Sequence, residues 1–492
     1  MDSYSTEKGL EESKQAFDEL LAFVQENSDE MEAYDMEKGI FQRVLRIGLA
    51  AMKTYFAAKG SGEKGKSIEN SDGKQLKKER LREVAYFSIF GKFKVSRLCY
   101  RKQGSPGICP LDSEANLPQR SYSYFLQEMM GYYGLKGPFN EVIESFDRYF
   151  GHSFSAKSVE EVNRELSSSY EEFYEDKKAP DPETEGEIQV VSFDGKGVPM
   201  VKRELAEPKA RLGKGEKRQT KKEALVGVSY TVDSNVRTPE EVADNLVMEN
   251  KKPEKSNKSA PKAQNKMVVA SLKHPKKEVM EIIKEDAAQR NSDGKRPLVC
   301  LVDGARSLWT LIKNLFPNAV FILDIIHVVE YLWEAAYVYH PEGSEEARFW
   351  VREHLLKILK GNVGLVVRGL KITRTRRKLK KSHQDKLDKV IRYLVRNRRG
   401  MRYNEYLRAG YPIGTGVVES ACGHVVKDRM EGAGMRWTID GAEATLLLRS
   451  IFASGDWEDY MLFHAQREKE RIYKPKAYLN VIRLSKITKK AA

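Results

Sequence analysis

The sequence predicts an α/β fold whose sheet is interrupted by a long all-helical segment. Three observations predict it. Between residues 185 and 326, short apolar runs of strand length alternate with amphipathic helical stretches. From 329 to 408 the strand pattern stops and helical spacing continues throughout. Two of the apolar runs end in the same pair of residues, Asp194-Gly195 and Asp303-Gly304.

In chain order, residues 10–58 read as helical. Leu10, Phe17, Leu20, Leu21 and Val24 recur at helical spacing, and so do Ile40, Phe41, Val44, Leu45, Ala51, Met52 and Tyr55. Either a hairpin packed on its own chain or a dimerisation arm accounts for them. Residues 59–78 (KGSGEKGKSIENSDGKQLKK) read as a polar linker with nothing to bury. The alternation from Glu83 to Tyr100 predicts a strand pair turning at Gly91. Residues 121–166 predict short helices, with Phe139–Phe146 and Ala156–Leu166 flanking the Gly151-His152 break and Ser155 as a cap. That arrangement fits a helix-turn-helix, and any small helical domain can mimic it.

After an acidic, proline-bearing boundary at 171–188, strands are expected at Ile188–Phe193, Ala224–Val232, Met267–Leu272, Pro297–Val302 and Ala319–Ile326. Helices are expected at Lys276–Gln289 and Leu308–Phe316, and the core resumes with a helix near Thr415. Lysine-rich stretches at 203–223 and 250–266 read as surface loops. Three strands, helix, strand, helix, strand and a final helix is the element order of an RNase H-like core. The expected organisation is a helical region (1–60), a DNA-binding region (80–170), the first part of the core (185–335), a basic helical insertion (336–410), the closing helix (411–455) and a tail (456–492).

Such a core brings three distant carboxylates together, and an acid stands at each place: Asp194, Asp303 and Glu419. They are 109 and 116 residues apart, so only folding can unite them. Singly each has an ordinary explanation. Asp-Gly after a strand is a turn signal, and Glu419 near the start of its helix is a dipole partner, four residues after Thr415 rather than the three of a capping box. Together they suit phosphodiester chemistry, where two Mg²⁺ ions roughly 3.5–4 Å apart are held by hard oxygen ligands and Mn²⁺ substitutes. Asp194 is expected to bridge both ions, with Asp303 and Glu419 completing one each. Asp324 competes with Asp303, and Asp324-x-x-His327 is either a metal pair, a supporting contact or a core histidine.

The formal net charge is +14 on 492 residues, which calls for a polyanionic partner. The N-terminus lacks a secretory pattern, and the most apolar run, Ala319–Val329, is too short to span a bilayer. Four cysteines without a C-x-x-C pair suit a reducing cytoplasm and argue against disulfides. Cys99 and Cys109, bracketing a turn-rich stretch, read as two ordinary cysteines or a degenerate metal site. Residues 371–402 hold 14 Lys or Arg against Asp385 and Asp388 alone. The expected phosphate contacts are Arg374, Arg376, Arg377, Lys378, Lys380 and Lys381 there, with Lys427, Arg429 and Arg436 beyond Glu419. Trp437 either stacks on an unpaired base or caps the core.

At Val191–Met200, Val302-Asp303-Gly304-Ala305, Asp324-Ile325-Ile326-His327 and Gly414–Ser420, with Lys427 and Gly434–Trp437 beyond, the sequence resembles transposases of bacterial insertion sequences. The likeness is to the ISKra group, distant kin of Mutator-like DDE enzymes, and runs from about residue 83 to 460. It implies a DDE triad on Asp194, Asp303 and Glu419, a helical insertion before the Glu, and transposition of the encoding element by a homo-oligomer acting on element ends and target DNA at the bacterial nucleoid. Relatives with paired cysteines ahead of the core differ from this chain, so a zinc ribbon is not expected. A structure-specific nuclease on the same core and a non-catalytic DNA-binding descendant are the alternatives. An RNA-binding reading lacks an aromatic RNP-like strand motif.

Overall fold

Ser5 starts the first helix by accepting the Lys8 N–H on its hydroxyl. From there a computed structural model describes residues 5–104, 107–205, 220–248, 261–304, 306–376, 379–432, 434–474 and 478–479. The chain is mixed α/β. It divides into two compact units, Met1–Glu175 with Glu458–Ala492, and Asp176–Trp457.

In the first unit α1 (Thr6–Asn27) and α2 (Ala33–Lys59) form a hairpin. A Cβ on Gly9 would meet the Thr54 hydroxyl at 2.5 Å, so that glycine permits the close approach. Leu10, Phe17, Leu21, Phe41 and Val44 stay exposed on the pair. The expected linker is a correction: it holds β1 (Ser67–Asn70) and the start of β2 (Gln75–Ser88), with Ile68 and Leu76 each 1% exposed. The turn between them is built by Asn70, whose side-chain oxygen accepts the Asp72 and Lys74 N–H groups, and by Gly73 at φ +73°. β3 (Gly91–Arg101) pairs antiparallel with β2, and Tyr478–Leu479 adds a strand beside β1.

Cys99 and Cys109 are joined by a disulfide, against the expectation of free thiols. The cause is register. Tyr100 and Ile108 exchange both backbone hydrogen bonds, which sets their flanking residues directly opposite across a short loop.

Helices α3 (Pro110–Glu114), α4 (Tyr124–Lys136), α5 (Phe139–Phe150), α6 (Ala156–Leu166) and α7 (Tyr170–Asp176) follow. Gly151, left-handed at φ 64°, ends α5, and the Ser155 hydroxyl caps α6. α6 carries Glu160, Glu161 and Glu165 against Lys157 and Arg164, and Arg120 is bound to Glu161 and Glu165. That charge does not suit a recognition helix. The expected tail is largely helix: Trp457–Tyr473 docks on this unit through Tyr460 Oη to the Leu166 carbonyl and His464 to Ser169.

The second unit holds β4 (Ile188–Pro199), β5 (Lys221–Val232), α8 (Pro239–Val247), β6 (Gln264–Ser271), α9 (Lys276–Arg290), β7 (Leu298–Val302), α10 (Arg306–Leu315) and β8 (Val320–Leu323). The five strands lie in the order β6-β5-β4-β7-β8. β4, β5 and β6 pair antiparallel, whereas β7 and β8 join parallel to β4. The first strand runs past Asp194, because β5 keeps pairing with it as far as Pro199. Then come α11 (Ile325–Ala336), α12 (Glu345–Leu359), α13 (Val363–Arg376), α14 (Lys381–Asn397), α15 (Tyr403–Arg408), α16 (Gly416–Ala421), a π-helical turn (Cys422–Lys427), α17 (Asp428–Met430) and α18 (Ile439–Ser454). No helix among the described residues is long and apolar enough to cross a membrane.

Beside this sheet Glu185 and Arg290, each 1% exposed in the side chain, form a bidentate pair at 2.7 Å that the Thr231 hydroxyl completes. Burial pushes the Glu185 carboxyl up, but Arg290 and Thr231 hold it below the usual carboxylate range. Glu185→Ala leaves a buried cation unpaired and is expected to cost about 3–5 kcal/mol in urea unfolding. A depressed carboxyl stabilises above its unfolded pKa of about 4.3, and that contribution fades as pH falls below it. The variant's deficit should therefore shrink in acid; a deficit independent of pH would count against the pair. Independently, thiol titration of the unreduced, denatured protein should count Cys300 and Cys422 alone, both free and buried in the fold; finding all four titrating would refute the Cys99–Cys109 link.

Candidate active site

The parallel register brings three acids level with one another. Ser192 lies opposite Leu301, and Leu301 opposite Ile322. Two positions further along each strand stand Asp194, Asp303 and Asp324. In a parallel sheet, residues in register share a face and neighbouring strands are about 4.8 Å apart. Asp194 thus stands within β4, level with the residues that directly follow β7 and β8, Asp303 and Asp324.

Asp194 and Asp303 are half-buried. Asp194 accepts the Gly195 N–H at 2.7 Å. The buried Cys422 thiol hydrogen-bonds to it; burial first and the Asp194 charge second, with Glu419 contributing, push that thiol far up. Asp194 and Glu419 therefore both lie near Cys422. Asp303 precedes Gly304, whose φ of +92° favours glycine. A Cβ there would meet Leu323, Tyr393 and the Nδ2 of Asn397 within 3.4 Å, so Gly304 is packed against the end of β8 and α14.

Asp324 is not on a strand as expected but just past the end of β8, where it caps α11. It is fully buried, and both of its oxygens are engaged. Oδ2 accepts His327 N–H at 3.0 Å and His327 Nδ1 at 2.7 Å, and Oδ1 accepts Thr415 N–H at 2.8 Å. Burial opposes ionisation, yet these donors hold Asp324 below the usual range. The hydrogen bond His327 donates to Asp324 raises the imidazole to about 9, against the lowering effect of burial, with Glu330 and Asp303 adding to the rise. His327 Nδ1 is thus committed to Asp324.

Thr415 carries the link onward: its hydroxyl donates to Glu419 Oε1 at 2.6 Å. Ligand atoms of Asp324, His327 and Glu419 lie within 4.8 Å of one another; Asp324 accepts three hydrogen bonds and Glu419 one. After Glu419 the helix widens into the π-turn that carries Cys422 beside Asp194.

The basic residues separate into two sets. Arg374 is bound to Asp388, and Lys381 faces Asp385 at 3.2 Å. Arg376, Lys380, Lys427 and Arg436 are exposed, while Arg377 and Lys378 lie outside the described residues. Arg429 is a correction: at 2% exposure it is not presented to a phosphate, and its guanidinium sits over the Trp437 ring at 4.7 Å. Trp437 is in the core, its Nε1–H donating to the Met430 carbonyl and its backbone bridged to Met200.

No protein-family model matches the chain, and no curated protein matches it.

Asp324→Ala is expected to leave the Thr415 and His327 N–H groups unpaired, at about 1–3 kcal/mol for each buried donor. A urea midpoint unchanged from wild type would show that Asp324 does not hold these segments together.

Proposed function

We propose that the protein is a DDE transposase on an RNase H-like core, cutting the ends of an insertion sequence and joining them to target DNA. What supports the reading is that Asp194 and Asp303 fall at matching positions of neighbouring parallel strands, and that Asp194 and Glu419 both act on Cys422. A strand order of third, second, first, fourth, fifth, with the last two parallel to the first, supports the core. The all-helical stretch between β8 and α16 supports the insertion.

Asp194, Asp303 and Glu419 offer hard carboxylate oxygens and fit Mg²⁺ or Mn²⁺ as a donor set. When bound, such ions supply charge neutralisation at the phosphorus and a more acidic water. Asp324 and His327 position Glu419 rather than ligate. The Thr415 hydroxyl orients Glu419 Oε1, and the buried Cys422 excludes water from one side of Asp194. Two in-line displacements use the same carboxylates. In the first, water attacks the phosphodiester, the P–O3′ bond breaks, and a 3′-OH leaves with the proton that water loses. In the second, that 3′-OH attacks target phosphorus, forming one P–O bond as another breaks.

Exposed Leu10, Phe17, Leu21, Phe41 and Val44 of the α1–α2 hairpin suit a self-association that would hold two ends. The reading fits a bacterial protein acting at the nucleoid.

The test is incubation of DNA carrying the ends that flank the gene with Mg²⁺ or Mn²⁺, comparing wild type with Asp194→Asn. Cleavage and joining by the wild type, both reduced below detection in the variant, is the expected result. Cleavage without joining would make the protein a nuclease. DNA binding without metal-dependent chemistry would leave a DNA-binding protein, and the catalytic assignment would fall.

A further inference from the structure

Lys389, Arg392 and Arg396 recur on α14 at spacings of three and four, which sets them on one face of the helix. With Tyr331 of α11 and Tyr393 they line a cavity of about 430 Å³. The two tyrosine rings stack on each other at 3.8 Å and 15°, and the Lys389 ammonium stands 5.1 Å from the Tyr331 ring. The aromatic faces are thus used internally, and what the notch presents is positive charge. Glu334 neutralises Lys389 at 2.8 and 3.0 Å. Among the described residues, neither Arg392 nor Arg396 pairs with a carboxylate, and both are exposed.

The notch is tied to the loop that carries Asp303. Arg396 Nη2 donates to the Gly304 carbonyl at 3.1 Å, and Tyr393 Oη to the Asp303 carbonyl at 3.5 Å. Beside Arg396, buried Asn397 has an Nδ2 with no hydrogen-bond partner, close to Gly304. Two guanidiniums without carboxylate partners next to the site's carboxylates would repel no anion that lies along them. They would instead offset the repulsion a phosphate meets from Asp194 and Asp303.

We propose that this notch is a phosphate subsite for the backbone of the DNA strand being cut, with Arg392 and Arg396 as its contacts. The proposal rests on the DNA-cleaving reading above and locates the strand on α14, not on the exposed Arg376 and Lys380. Arg396 also fixes the Asp303 loop, so its removal could disturb folding; Arg392 has no such tie.

The experiment measures binding of a fluorescein-labelled random-sequence DNA duplex by anisotropy across a salt series, without divalent metal. Wild type is compared with Arg392→Glu, with Arg392→Ala/Arg396→Ala, and with Arg376→Ala/Lys380→Ala. Each lost phosphate contact should lower the slope of log affinity against log salt by about 1. The expected result is a fall of at least about tenfold in affinity at low salt for both notch variants, with slopes reduced by about 1 and 2, and a smaller effect from Arg376→Ala/Lys380→Ala. Wild-type affinity and slope in Arg392→Glu would overturn the subsite while leaving the transposase reading intact. Failure of the wild type to bind DNA at all would overturn both.

Discussion

The Asp324 carboxylate is the constraint on which the site depends. Burying an ionised carboxyl is costly unless its lone pairs are filled, and here three donors from two distant segments fill them. Two come from the first turn of α11 and one from Thr415, 91 residues further along the chain. Because the charge cannot be left unpaired, the loop before α16 has one low-energy position. Through the Thr415 hydroxyl that position becomes the orientation of Glu419. A residue that touches no substrate thereby sets the geometry of one that is proposed to.

The charge of the second unit is segregated. Acids stand within β4 and just past β7 and β8, and guanidiniums gather on α14. His327 lies on the acid side, bonded to Asp324. Arg374 and Lys381 are turned to Asp388 and Asp385 instead. A count of basic residues over 371–402 therefore overstates what is available to a polyanion, since the pairing of each cation decides its use.

Much of this was legible in the sequence, and the failures have physical causes. The strands of the second sheet stood out because they are buried on both faces and read as apolar runs. The acids in or just past them were legible for the same reason. The fifth strand was extended too far because Ile325, Ile326, Val328 and Val329 look like more strand; the Asp324 cap that ends it was a readable helix start. α8 was missed although Thr238 and Glu241 form a capping box. The β1–β2 turn region escaped because only Ile68 and Leu76 are apolar between residues 67 and 78. Pairing of Cys99 with Cys109 needed the Tyr100–Ile108 bridge, which no spacing reveals. The support role of Asp324 and the burial of Arg429 depend on contacts from remote segments, which composition does not encode.

The first unit is assembled from both ends of the chain, with all of the second unit between them. On a ribosome this imposes an order of events. The five-stranded sheet and its carboxylates can close as soon as Trp457 has emerged. The α4–α6 layer must wait for the helix after it, which supplies Tyr460 and His464 to Leu166 and Ser169. Domains generally fold as units during synthesis, so the region that begins the chain is the last to be completed.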